Sequence, residues 1–510
     1  MKIYTNEQIR AIEAATVRAG VSTLELIERA GRGVADEIAA RWDTGKRIVV
    51  FAGPDKNGAQ ALAATRALIK AGYKPEVYLF NIGGNKLSAD CRTCRDLLLE
   101  EYSGTLPFLE VLKNFERPSL GRNDLVIDGL WGSDLTAPLS PGGYVYVIQL
   151  INDSKAEVVS IDLPSGMFGD WNADAINRNI IHATLTLAIQ FPRLPFFFGD
   201  NEELTGTWKT IDIGLDRDEM RRQKARFYLV EQSDIRPLLK PRQEFCSKAD
   251  FGHTAIYAGS YGMMGAALLA TRAAMRSGAG KVTAHTPRCG FLIMQTAAPS
   301  AMFESDTDDH VISDFTLRRK YDAVAIGPGI GTAQPTVDAL EQFLKVANAN
   351  RRSVVLDADA LNCMAMRPSM LNFVPQMSVL TPHSTEFDRM FGEHSSEQAR
   401  WRKALSVADH LQVMIVLKGR YTAIIRPDGK VYINSSGTPA LATAGSGDVL
   451  TGLIAGIQAQ GYSAEIAALL GCFIHGVAGH ISAERNGVHG TTAEDIADSI
   501  GKAIKLISEC

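Results

Sequence analysis

The chain has 510 residues, room for two to four domains at roughly one per 150 residues. Hydrophobic residues make up 46% and charged residues 22%, the balance of a globular protein with large cores, and 53 Lys+Arg against 57 Asp+Glu (net charge -4) lack the basic surplus of a dedicated nucleic-acid binder. No run approaches the ~20 uninterrupted apolar residues of a membrane span, the polar, amphipathic start lacks a signal peptide's layout, and seven scattered cysteines make no disulfide framework. These features predict a cytoplasmic, multidomain enzyme with neither nucleic acid nor membrane as partner.

In chain order, Ser22 and Glu25 have capping-box spacing ahead of Leu24, Ile27 and Ala30 on one helical face. Short β-branched runs then end in Gly or Asp: Ile48–Phe51 before Gly53, Leu125–Ile127 before Asp128, and Val158–Ile161 before Asp162. Helical patterns such as Ala59–Ala71 lie between them. Strands apolar on both faces and alternating with helices predict a parallel sheet covered on both sides, with ligands beyond the carboxyl ends of its strands. The charged stretch Asp216–Arg226 reads as a junction, giving domains over 1–220 and 226–510. In the second, Thr254–Tyr257, Ala323–Ile326, Val354–Leu356, Val379-Leu380 and Ile415–Leu417 each run into a Gly, Asp, His or Lys motif. A hairpin is predicted around Asp428-Gly429.

Gly445-Ser446-Gly447-Asp448 leads directly into the apolar helix Val449–Ile457. Small residues at a helix start let backbone N–H groups converge on an anion, and an Asp just after them is placed to take a proton from a hydroxyl beside a phosphoryl group. The bland alternative is a glycine turn with an Asp near the N-cap. His475 and His480, at i and i+5 in CFIHGVAGHI, read as packing or capping residues, and Cys91 and Cys94 lack the second pair of a zinc ribbon.

Four segments occur in order: AGSYGMMGAALLATRAAMRSGAGKVT (Ala258–Thr283), LDADALN (Leu356–Asn362), TPHSTEF (Thr381–Phe387) and ALATAGSGDVLTGLIAG (Ala440–Gly456). Together they resemble the ribokinase-like, ADP- or ATP-dependent NAD(P)H-hydrate dehydratases. The resemblance implies nucleotide-driven removal of water from the S form of NADHX or NADPHX, with Mg²⁺. Residue by residue, it implies Asp448 as the catalytic, substrate-contacting Asp and Gly445, Ser446 and Gly447 as the anion hole. Lys418, Gly419, Arg420, Tyr421 and Thr422 match the adenine-nucleotide loop. Ala266, Ala267, Gly329 and His383 match the hydrate pocket, and Glu386 fits a polar or metal-water role. A small-molecule kinase of the same fold and a non-catalytic nucleotide sensor are the alternatives.

The first half carries DxPSG as Asp162–Gly166 and a strand-Asp-glycine turn within VIDGLWGSDLTAPL, Val126–Leu139. It resembles the Rossmann-like, three-layer NAD(P)H-hydrate epimerase domain. That resemblance implies a substrate-contacting, catalytic Asp162, and substrate contacts from Gly132, Ser133, Asp134, Leu135, Thr136, Ala137 and Pro138. It further implies potassium ligands at Asn57, Asp128 and Ser165, an assisting lysine at Lys86, and a homo-oligomer. The first loop departs from the family's N-N-G-G-D-G: here it reads Lys56-Asn57-Gly58-Ala59-Gln60-Ala61. Gln60 cannot act as a base. The Cβ atoms of Ala59 and Ala61 are expected to narrow the approach of substrate, and Lys56 to compete with potassium. A weakened or purely structural domain is the expectation, with an active epimerase as the alternative.

Overall fold

The computed structural model describes residues 1–113, 115–172 and 177–509, and they form two compact units, 2–225 and 226–510 with Met1.

The first unit is a seven-stranded, wholly parallel sheet in the order Phe108–Val111, Glu76–Phe80, Arg47–Ala52, Asp124–Gly129, Glu157–Ile161, Leu185–Ile189, Thr207–Ile211. Successive strand residues point to opposite faces. Ile48 and Val50 therefore join one core with the helices Thr23–Ala39, Lys56–Lys70 and Ala89–Tyr102, while Val49 and Phe51 join a second core with the helix Gly143–Asp153. The result is three layers. Chain order reverses between Arg47–Ala52 and Asp124–Gly129, which opens a crevice at the carboxyl ends of these strands.

In the second unit a parallel run, Met414–Leu417, Val379–Leu380, Val355–Leu356, Ala323–Ile326, His253–Tyr257, Lys281–Thr286 and Met302–Ser305, is extended by the antiparallel hairpin Ala423–Ile425 and Val431–Asn434. One face packs on the helices Met264–Arg276, Ser446–Ala459, Ala464–Asn486 and Ala493–Glu509. By length and composition, Ala464–Asn486 has the apolarity of a membrane span, but 72% of its most apolar window is buried inside the protein. It is a core helix here. The charged stretch read as a junction carries the short helix Arg217–Arg222, with no buried side chain.

Candidate active sites

In the second unit a cavity of about 630 Å³ opens where the ends of Val355–Leu356, Val379–Leu380 and Met414–Leu417 face the first turn of Ser446–Ala459. Gly445 is that helix's N-cap at φ +85°, a left-handed conformation that costs glycine nothing; Ser446 N donates back to Thr443 O at 3.3 Å, and the Gly447 and Asp448 N–H groups lie in the first turn, where no intrahelical acceptor serves them. Asp357 is buried at the cavity floor. Its Oδ1 accepts from Lys418 Nζ at 3.0 Å and its Oδ2 from Thr451 Oγ1 at 2.6 Å. Glu386, also buried, lies 3.7 Å from the same Nζ and accepts from His383 N at 2.9 Å, while His383 caps the helix Ser384–Phe391. Burial opposes charge on Lys418, but Asp357, Glu386 and Asp448 outweigh it and hold its pKa above the ordinary value. The reverse holds for Asp448: burial, then Asp357, push its carboxyl up to about 7 despite Lys418. A carboxylate poised there accepts a proton near neutrality, the requirement for a general base. Beside Asp357, Ala358 sits at φ +49°, a strained conformation for a residue with a Cβ.

Of the residues singled out in this half, His383, Glu386, Lys418, Gly419, Arg420, Thr422, Gly445, Ser446, Gly447 and Asp448 share the cavity wall. Tyr421 does not line it; its ring lies 4.8 Å from the Arg420 guanidinium. Ala266, Ala267 and Gly329 lie outside that wall: a Cβ on Gly329 would stand 3.0 Å from that of Ala266, and Ala267 is fully buried core. His475, read from sequence as packing, does line the cavity, with Nε2 3.2 Å from Ser446 Oγ.

In the first unit a cavity of about 520 Å³ lies in the crevice of the strand reversal. Asp162, at φ +65°, turns its carboxylate inward. Its Oδ1 accepts from Arg193 Nη2 at 2.7 Å and its Oδ2 from Ser133 N at 3.0 Å. Burial works against ionisation, but Arg193 and then Ser133 outweigh it, so the carboxyl titrates below its ordinary range. Such an Asp binds and orients a hydroxyl better than it pulls a proton. Asn57 and Gln60, one helical turn apart, line this cavity, as do Gly132, Ser133, Asp134, Leu135, Thr136 and Ala137. Pro138 lies outside the lining, as does Lys86, which is exposed.

Three expectations for this unit change. The stretch from Lys56 is the first turn of a helix rather than an open loop, so Ala59 and Ala61 point into the core, fully buried, and narrow nothing. Lys56 Nζ is paired with Glu13 at 2.5 Å, which offsets its charge. Asp128 and Ser165 lie beneath the cavity rather than in its wall. Ser165 Oγ donates to Asp128 Oδ1 at 2.5 Å, and Asp128 Oδ2 accepts from Ser160 Oγ and Ser165 N. Among the described residues neither amide atom of buried Asn57 has a partner, which leaves both open to a ligand or cation. Burial pushes the Asp128 carboxyl up, a penalty that a nearby cation would relieve. Asn57 therefore has unpartnered polar atoms to offer a cation, while Asp128 and Ser165 are hydrogen-bonded to each other and could offer only their remaining lone pairs. Among the described residues no group of three or more His, Cys, Asp or Glu side chains could hold a metal ion.

Sheet order and sites define a Rossmann-like unit followed by a ribokinase-like one whose helix N-terminus and buried Asp suit phosphoryl chemistry. Residues 254–502 match the family model described as NAD(P)H-hydrate dehydratase, and residues 23–194 match that of the YjeF-related protein N-terminus. The chain is 32% identical over 504 residues to the bifunctional NAD(P)H-hydrate repair enzyme Nnr of Moorella thermoacetica, covering 96% of this chain and 94% of the relative. It is 31% identical over 527 residues to the enzyme of the same name from Thermofilum pendens, covering 100% and 97%. Among solved structures it resembles an ADP/ATP-dependent NAD(P)H-hydrate dehydratase from Bacillus subtilis co-crystallised with ATP/Mg²⁺ (TM-score 0.50, 32% identity, 55% of this chain and 98% of that one). The chain belongs to the bifunctional NAD(P)H-hydrate repair enzymes.

Proposed function

We propose that the second unit uses ADP or ATP to return the S forms of NADHX and NADPHX to NADH and NADPH, and that the first unit interconverts the R and S forms. The observation that carries the first half of this reading is Asp448: a carboxyl pushed up to about 7, in the first turn after Gly445–Gly447, facing the Lys418–Asp357 pair. Hydroxide is a poor leaving group. Asp448 takes the hydroxyl proton as its oxygen attacks the terminal phosphorus, and the nucleotide leaves one phosphate shorter. The ring nitrogen lone pair then expels the phosphate, and loss of a proton from the adjacent carbon restores the dihydronicotinamide. The first-turn amides of Gly445–Gly447 hold the phosphoryl charge, while Gly419, Arg420 and Thr422 hold the rest of the nucleotide. Asp357, Glu386 and Asp448 outnumber Lys418 in this wall, and a Mg²⁺ ion bound with the nucleotide phosphates would offset that acidity. The hydrate ring approaches from the His383 side.

In the first unit the ionised Asp162 orients the hydroxyl-bearing carbon, and Asn57 and Asp128 would hold potassium, which supplies positive charge beside it. Absence of a carboxylate at Gln60 makes this half the slower. We further place the chain in the cytoplasm as a homo-oligomer. The test is recovery of reduced-nicotinamide absorbance from separate R and S hydrates, with and without nucleotide. Recovery from S with nucleotide supports the reading; a stable phosphorylated product marks a kinase, and no turnover marks a sensor.

A further inference from the structure

His475 takes no part in the phosphoryl transfer assigned to this cavity, yet its placement is specific. The helix Ala464–Asn486 reaches the cavity because it carries glycines where the wall segment 436–441 crosses it. A Cβ on Gly476 would stand 2.1 Å from Ser436 Oγ, and one on Gly479 would stand 2.6 Å from a Leu441 methyl. That close approach sets His475, 7% exposed, against the first turn of Ser446–Ala459, with Nε2 3.2 Å from Ser446 Oγ. Burial holds the ring's pKa down to about 4, opposed by a backbone hydrogen bond at Ser446, so the imidazole is neutral at neutral pH and has one N–H.

A serine hydroxyl has one proton and two lone pairs. If Ser446 spends its proton on the imidazole, only lone pairs remain toward the cavity, and these repel a phosphate. If the ring N–H instead donates to Ser446 Oγ, the hydroxyl proton is free for the anion. We infer that His475 is a positioning residue of the nucleotide site: by donating from Nε2 to Ser446 Oγ it turns the Ser446 hydroxyl into a further donor to the phosphoryl group, beside the first-turn amides. This rests on the assignment of nucleotide phosphates to Gly445–Gly447.

The test uses the full chain and compares ATP·Mg²⁺ with adenosine as probes. His475→Leu is expected to weaken ATP binding about tenfold, the worth of one hydrogen bond to a charged group. It should raise the nucleotide KM more than it lowers kcat, and leave adenosine affinity unchanged. His475→Gln, whose amide N–H reaches a similar place, should recover most of the loss. Ser446→Ala should weaken ATP as much as His475→Leu, and the double variant no further. Wild-type ATP affinity in His475→Leu, an equal loss for adenosine, or additive losses in the double variant would each overturn the inference. If His475→Leu does not fold, Ser446→Ala and His475→Gln still decide it: unchanged ATP affinity in Ser446→Ala leaves His475 nothing to orient. A wild-type chain that binds no ATP overturns the nucleotide assignment itself, a result distinct from all of these.

Discussion

Asp448→Asn separates what the active site needs from what the fold prefers. The asparagine is nearly isosteric but has no basicity, and loss of a general base lowers a rate by about 10²–10⁴. The same change should stabilise the fold. Carrying a carboxyl from 3.8 to about 7 costs, at about 1.4 kcal/mol per pH unit, roughly 4 kcal/mol, reduced to about 2–4 by solvent at this partly exposed side chain. The sign depends on pH. Below 3.8 the carboxyl is protonated in both folded and unfolded chains and costs nothing; the penalty grows as pH rises toward 7 and is constant above it. Denaturant unfolding of wild type and Asp448→Asn should therefore coincide near pH 3.5 and separate by about 2–4 kcal/mol at pH 8, with the variant the more stable. In parallel, wild-type dehydration should fall about tenfold per pH unit below 7. Near wild-type turnover in Asp448→Asn would remove Asp448 as the base. Equal stabilities at pH 8 would remove the electrostatic account of its raised pKa.

Lys418→Met leaves Asp357 buried without its cation, an expected loss of about 3–5 kcal/mol on denaturation, and moves the acid limb of the surviving rate to higher pH because Lys418 lowers Asp448. Arg193→Met strands Asp162 in the same way; full-chain unfolding should lose about 3–5 kcal/mol from the first unit, and a loss under about 1 kcal/mol would show the pair to be incidental. Gln60→Asp restores a carboxylate to the first cavity and should speed R-to-S conversion. Ala59→Gly and Ala61→Gly should add no rate and cost about 1 kcal/mol each in melting experiments, because both lie inside a helix and face the core.

What could be read from the chain was whatever sits where a strand stops. Asp128, Asp162, Asp357 and Lys418 each follow an apolar run of a parallel sheet, and a charge at that point has nowhere to go but the crevice. Arg193 and His475 escaped for the opposite reason. Arg193 follows an irregular turn, and His475 lies inside a nearly unbroken apolar helix, where a lone polar residue looks like packing; each meets its partner across about thirty residues of chain. The first turn from Lys56 is hard to read because of its phase. Which of 57, 59, 60 and 61 face substrate depends on where the helix begins, and a glycine-and-alanine stretch carries no hydrophobic rhythm to fix that. The edge strands Phe108–Val111 and Thr207–Ile211, short and half exposed, gave too little pattern to be named.

The core helix Ala464–Asn486 bears on how the chain is made. Its inner residues Leu470, Ile474 and Ala478 share one core with Ile496, Ile500, Ala503 and Ile507 of Ala493–Glu509, and Ser482 Oγ meets Ser499 Oγ at 2.9 Å. During synthesis the covering helix emerges after the one it covers, so a segment as apolar as a membrane span waits bare for its neighbour. A ribosome pausing between the two would present chaperones or membranes with a sticky intermediate. Interrupted translation should therefore yield aggregates rather than a shortened working enzyme, and any tag or fusion that delays closure of this last helix puts the yield of the second unit at risk before its active site is ever tested.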